Sequence, residues 1–93
     1  MTKVVNKYRE KYDQYIGRGS IWGNPFILED GVTRDEVIDN FTGYFYTRLL
    51  EDEEFLKQTL ALKGKTLGCF CKPKKCHGDV IANFLNEFHS RLV

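Results

Sequence analysis

A chain of 93 residues with 42% hydrophobic and 14% aromatic residues can build one small core, and it is too short for two. With 29% charged residues and a net charge of +1, intrinsic disorder and whole-surface attraction to nucleic acid are both excluded, leaving only local charged patches. No stretch approaches the ~18 apolar residues of a membrane span, and Met1 to Asn6 lacks the apolar core of a signal peptide, so a cytoplasmic protein is expected.

In chain order, Lys3 to Tyr8 and Asp13 to Ile16 read as two short extended runs around polar Arg9-Glu10-Lys11, which predicts a hairpin or a bent strand pair. Gly17 to Asn24 holds three glycines and precedes Pro25, so its backbone can approach a ligand closely. Thr33 with Glu36 makes a capping-box pattern. Val37, Phe41, Tyr44, Phe45 and Leu49 follow at helical spacing, predicting a helix from about Arg34 to Leu50. Asp52 can cap a second helix carrying Phe55, Leu56 and Leu60, which Gly64 ends ahead of a strand over Thr66 to Phe70. Val80, Ile81, Phe84, Leu85 and Phe88 mark a last amphipathic helix, on which His89 is expected at the surface. With no repeat or linker, residues 1–93 form a single α/β domain. Its sheet has about three strands with packed helices, and at least one parallel crossover joins the second strand to the third. Loops 17–26 and 69–79 then leave one sheet edge, where such sheets bind ligands.

The second of those loops, Cys69-Phe70-Cys71-Lys72-Pro73-Lys74-Lys75-Cys76-His77-Gly78-Asp79, gathers all three cysteines and one of two histidines. An odd thiol count in a reducing compartment argues against a disulfide framework. Cys69 and Cys71 lie two apart, on one face of an extended segment. Cys76 and His77 return after a turn containing Pro73, so the four can close as a tetrahedral zinc site. A second reading places Cys76 or His77 at the start of the last helix, where backbone N–H groups favour a thiolate or a bound phosphate, with Asp79 alongside for acid–base work. The plainer reading buries Cys69 and Cys71 in the core and uses Asp79 to complement the helix dipole. No acidic residue lies between Phe55 and Gly78, whereas Lys57, Lys63, Lys65, Lys72, Lys74 and Lys75 do. That run is either a solvated face or a phosphate-attracting rim.

The first loop pairs one cation with the only tryptophan. Arg18, freed by Gly17 and Gly19, can grip a phosphate bidentately; Trp22 can stack on a base, and Asn24 can read polar edges. In the plainer alternative Trp22 and Phe26 cap the core, Arg18 pairs with an internal carboxylate and Asn24 shapes a turn.

Tyr15-Ile16-Gly17-Arg18, Trp22-Gly23-Asn24-Pro25-Phe26 and the run from Leu67 to Val80 resemble a family of small phage and bacterial proteins, a domain of unknown function. The resemblance covers nearly the whole chain, and the family often shows Trp where Phe70 stands. It implies a phage or bacterial origin, hence the bacterial cytoplasm. It also implies a site on Gly17, Arg18, Trp22, Asn24, Cys69, Cys71, Cys76, His77 and Asp79, with no established reaction.

Three function classes follow. The foremost is a pocket for a phosphorylated nucleotide-like ligand or nucleic acid in a nucleotide-processing enzyme, with Gly17, Arg18, Gly19, Trp22 and Asn24 binding and Cys76, His77 and Asp79 catalysing. The same pocket without turnover is the second. The third is a zinc-clamped module whose Lys72, Lys74 and Lys75 meet nucleic acid or an acidic protein. A small domain with exposed aromatics is also suited to forming a homodimer.

Overall fold

Six elements follow in the order the periodicity predicts: β1 (Lys3–Asn6), β2 (Gln14–Tyr15), α1 (Arg34–Glu51), α2 (Glu53–Leu60), β3 (Thr66–Cys69) and α3 (His77–Leu92). The computed structural model describes residues 1–92 apart from Leu28 and Pro73, with side chains described through Glu87. The turn expected at Pro73, and the Phe88 and His89 side chains, lie outside the described residues.

The helices begin where side chains can satisfy orphan backbone donors. Thr33 Oγ1 accepts from Glu36 N at 3.1 Å to open α1. Asp52 serves two helices: its N–H donates to the Arg48 carbonyl at the end of α1, and its Oδ1 accepts from Phe55 N to open α2.

The sheet is parallel throughout, in the order β1-β3-β2. The expected hairpin is therefore corrected. The two N-terminal strands never pair with each other; β3 lies between them, aligning Asn6 with Cys69 on one side and Tyr15 with Gly68 on the other. Parallel strands cannot be joined by a tight turn, so residues 7–13 must cross β3 to reach its far side. Gly68 permits the crossing: a Cβ there would lie 2.6 Å from the Tyr12 ring. The parallel relation of β2 and β3, with α1 and α2 between them in sequence, agrees with the expected crossover.

Phe41, Phe45 and Leu49 of α1, Phe55 of α2, Leu67 of β3 and Ile81 and Leu85 of α3 fill the core. Phe41 stacks on Phe45 with centroids 5.6 Å apart, and Phe55 meets Phe45 edge-on at 5.9 Å. No helix is long and apolar enough to cross a membrane among the described residues.

Candidate functional site

Parallel pairing sets Asn6, Tyr15 and Cys69, the last residues of the three strands, along one edge. Asn6 ties that edge together. Its Nδ2 donates to the carbonyls of Lys72 at 2.7 Å and Phe70 at 3.3 Å, while its Oδ1 accepts from Tyr8 N at 2.9 Å. The β1 turn and the cysteine loop are thus held to each other by one amide.

The loop after β2 is shaped by local bonds. Ser20 folds back onto the Gly17 carbonyl through both its N–H and its hydroxyl. Gly19 adopts φ +93, a left-handed conformation that other residues rarely take. Asn24 Oδ1 accepts from Phe26 N at 2.9 Å, an Asx-type turn that aims the segment toward α1.

Between this loop, the cysteine loop and the start of α1 lies a cleft of about 280 Å³. Gly17, Arg18, Asn24 and Phe26 line it from the first loop, Phe70, Cys71, Lys75 and His77 from the second, and Arg34 from the helix. The two loops therefore share one cavity. Arg18 is exposed and takes no part in any ion pair or side-chain hydrogen bond among the described residues. Arg34 Nη1 donates to the Lys75 carbonyl at 3.2 Å, and Lys75 Nζ pairs with Asp35 at 2.9 Å. That carboxylate raises the Lys75 pKa and offsets its charge.

Other expected site residues lie elsewhere. Trp22 is only 7% exposed and packs in the core, its Nε1 donating to Thr59 Oγ1 at 3.0 Å. A buried indole needs one acceptor, and Thr59 supplies it, so Trp22 presents no stacking face to the cleft. Gly19 also lies outside the lining.

Cys76, His77 and Asp79 are engaged within the fold. His77 Nε2 lies 2.7 Å from the Ile16 carbonyl, so that nitrogen is the donor, and Nδ1 lies 3.6 Å from Cys76 Sγ. Burial pushes the His77 pKa down, with the Ile16 carbonyl and Asp79 opposing it. Asp79 Oδ2 accepts from Cys76 N at 3.2 Å, Asp79 N donates back to the Cys76 carbonyl, and Lys72 pairs with the same carboxylate. Asp79 thus closes the first turn of α3, and Cys76 Sγ takes the Gly78 N–H at 3.3 Å. Those caps use the donors a phosphate would need at this helix start.

Cys69 and Cys76 are buried free thiols that hydrogen-bond to each other. The Cys69 pKa is drawn down to about 6, chiefly by that bond, with the backbone N–H groups of Lys72 and Cys71 assisting and burial opposing. As the donor, Cys76 is held up. The expected zinc tetrad of Cys69, Cys71, Cys76 and His77 is not assembled. Among the described residues no three His, Cys, Asp or Glu side chains are grouped to hold a metal ion.

A family defined as a domain of unknown function, DUF4326, matches residues 2–87. The chain belongs to this family. A relative of the DUF4326 chain, an uncharacterised 12.4 kDa protein encoded in the nrdA-td intergenic region of Enterobacteria phage T4, is 41% identical over 87 residues. The match covers 94% of this chain and 80% of the relative. No solved structure matches it.

Arg34 and Phe70, which line this DUF4326 cleft, are not singled out as site residues by the sequence reading. Arg34 reads as the first residue of a helix, and Phe70 as the last residue of a strand. The usable signal was topological, because both sit where an element meets the carboxyl edge of the sheet.

Proposed function

We propose that this domain binds a phosphorylated, nucleotide-like ligand in the cleft between loops 17–27 and 70–77. One observation carries the reading: Arg18 and Arg34 share a cavity of about 280 Å³ with the exposed rings of Phe26 and Phe70. Guanidinium groups recognise phosphate oxygens bidentately, and aromatic rings cover the face of a base. The volume sits at the lower end of small-molecule sites, which suits one nucleotide unit. Stacking passes from Trp22 to Phe70 and Phe26. Binding is favoured over turnover, since Cys76, His77 and Asp79 are committed to internal bonds. The reducing cytoplasm of a bacterial host is the compartment that suits three free thiols.

Calorimetric titration with mononucleotides tests the reading. Arg18→Ala should remove a charge-assisted contact of ~1.5–3 kcal/mol, a roughly ten- to hundredfold loss of affinity, with the melting temperature unchanged. Arg18→Lys should recover only part of it, because lysine keeps the charge and loses the fork. Equal affinity in all three proteins, or no nucleotide binding by the parent, would overturn the proposal.

A further inference from the structure

Beside the cleft, Lys7 stands inside a group of three aromatic rings. Its Nζ is 4.4 Å from the Phe70 centroid, 4.8 Å from Tyr15 and 5.0 Å from Tyr8. The rings also meet one another: Phe70 lies 5.9 Å from both Tyr8 and Tyr15. The arrangement is positioned by backbone, because Lys7 N donates to the Cys69 carbonyl at 2.9 Å and Asn6 Oδ1 holds Tyr8 N. A cage of this kind could hold a foreign cation, but its own lysine already fills it. Tyr8 remains 75% exposed and Phe70 46%, so aromatic surface stays open beyond the ammonium. Lys7 joins no ion pair among the described residues.

Phe70 belongs to both the cleft and this cluster. On either side of this cluster in sequence, Val4, Val5, Asn6, Arg9 and Glu10, with Lys72, line a shallow groove. Planar rings interleaved with cations suit a polymer of alternating bases and phosphates. Resting on the nucleotide reading of the cleft, we infer that the ligand is a single-stranded nucleic acid. One nucleotide occupies the cleft and the next stacks on Tyr8, with Lys7 facing the phosphate between them. A duplex keeps its bases stacked on one another and offers Tyr8 no free face. A mononucleotide fills the cleft and leaves Tyr8 unused.

Titration of thymidine 5′-monophosphate, a thymidylate tetranucleotide and a short hairpin duplex against the parent, Tyr8→Ala, Lys7→Gln and Arg18→Ala separates these outcomes. The parent should bind the tetranucleotide at least about tenfold more tightly than the monophosphate and more tightly than the duplex. Tyr8→Ala should weaken the tetranucleotide roughly five- to hundredfold and leave the monophosphate within about twofold. Lys7→Gln should lower the salt dependence of tetranucleotide binding by about 0.7 in log–log slope. Arg18→Ala should weaken both single-stranded ligands. Equal affinity for monophosphate and tetranucleotide, or a tetranucleotide indifferent to Tyr8→Ala, overturns this inference and leaves the cleft reading standing. Binding of neither ligand overturns both.

Discussion

His77 is conspicuous in the sequence, and in the fold both nitrogens of its ring have neighbours. Its imidazole is buried between the Ile16 carbonyl and the Cys76 sulfur, and burial is the main cause of its lowered pKa. The folded protein therefore holds this proton less tightly than the unfolded chain does. Below the ordinary histidine value of ~6.5 the unfolded state binds more protons, so stability falls as pH drops through that value. Melting temperatures at pH 7.5, 6.5 and 5.5 should decline toward acid. His77→Gln keeps an N–H donor for Ile16 and cannot titrate, so its decline over the same window should be shallower. An unchanged slope would show that His77 is not the group responsible. At this scale the positions of Arg18, Asn24 and His77 along the cleft were legible because charge, turn chemistry and loop position coincide in the residues themselves. Trp22 was not, since whether an indole faces ligand or core depends on a distant acceptor, here Thr59.

Among the elements, the helices and the parallel relation of β2 to β3 were readable, and the pairing of β1 was not. Caps and 3.6-residue periodicity are local properties, so Thr33, Asp52 and the Phe41–Phe45–Leu49 stripe declare α1 and α2 directly. Pairing of β1 depends on β3, and nothing within residues 3–16 announces a partner that lies at Thr66–Cys69. The crossing of residues 7–13 over Gly68 offers a direct check. Gly68→Ala places a methyl group against the Tyr12 ring and should cost ~1–3 kcal/mol in urea unfolding. Adding Tyr12→Ala should restore much of that loss, a coupling expected of residues in contact. Additive losses would mean that the ring moves aside without cost. The cysteine loop makes a second claim. With no three donor side chains grouped for a metal ion among the described residues, a chelator should leave the melting temperature unchanged, whereas a sharp fall would return the four donors to a structural zinc site.

For the molecule as a whole, stability draws on one small core. Phe45 touches Phe41, Phe55 and Phe84 and is fully buried. Its replacement by alanine should cost ~3–5 kcal/mol, a large share of what a domain this size commands. The family assignment rests on residues 2–87 and so spans every strand and both loops of the cleft.

The central place of β3 also has a temporal side. Lys3 finds its partner in Thr66, and Gln14 finds its partner in Leu67. During synthesis, then, the first two strands leave the ribosome with nothing to join, while α1 and α2 can already coil against each other. Only when Thr66–Cys69 emerges do three edges become a sheet, and Asn6 reaches Phe70 and Lys72 in the same step. A nascent chain halted before β3 has no rudimentary cleft; the cavity arrives late and all at once.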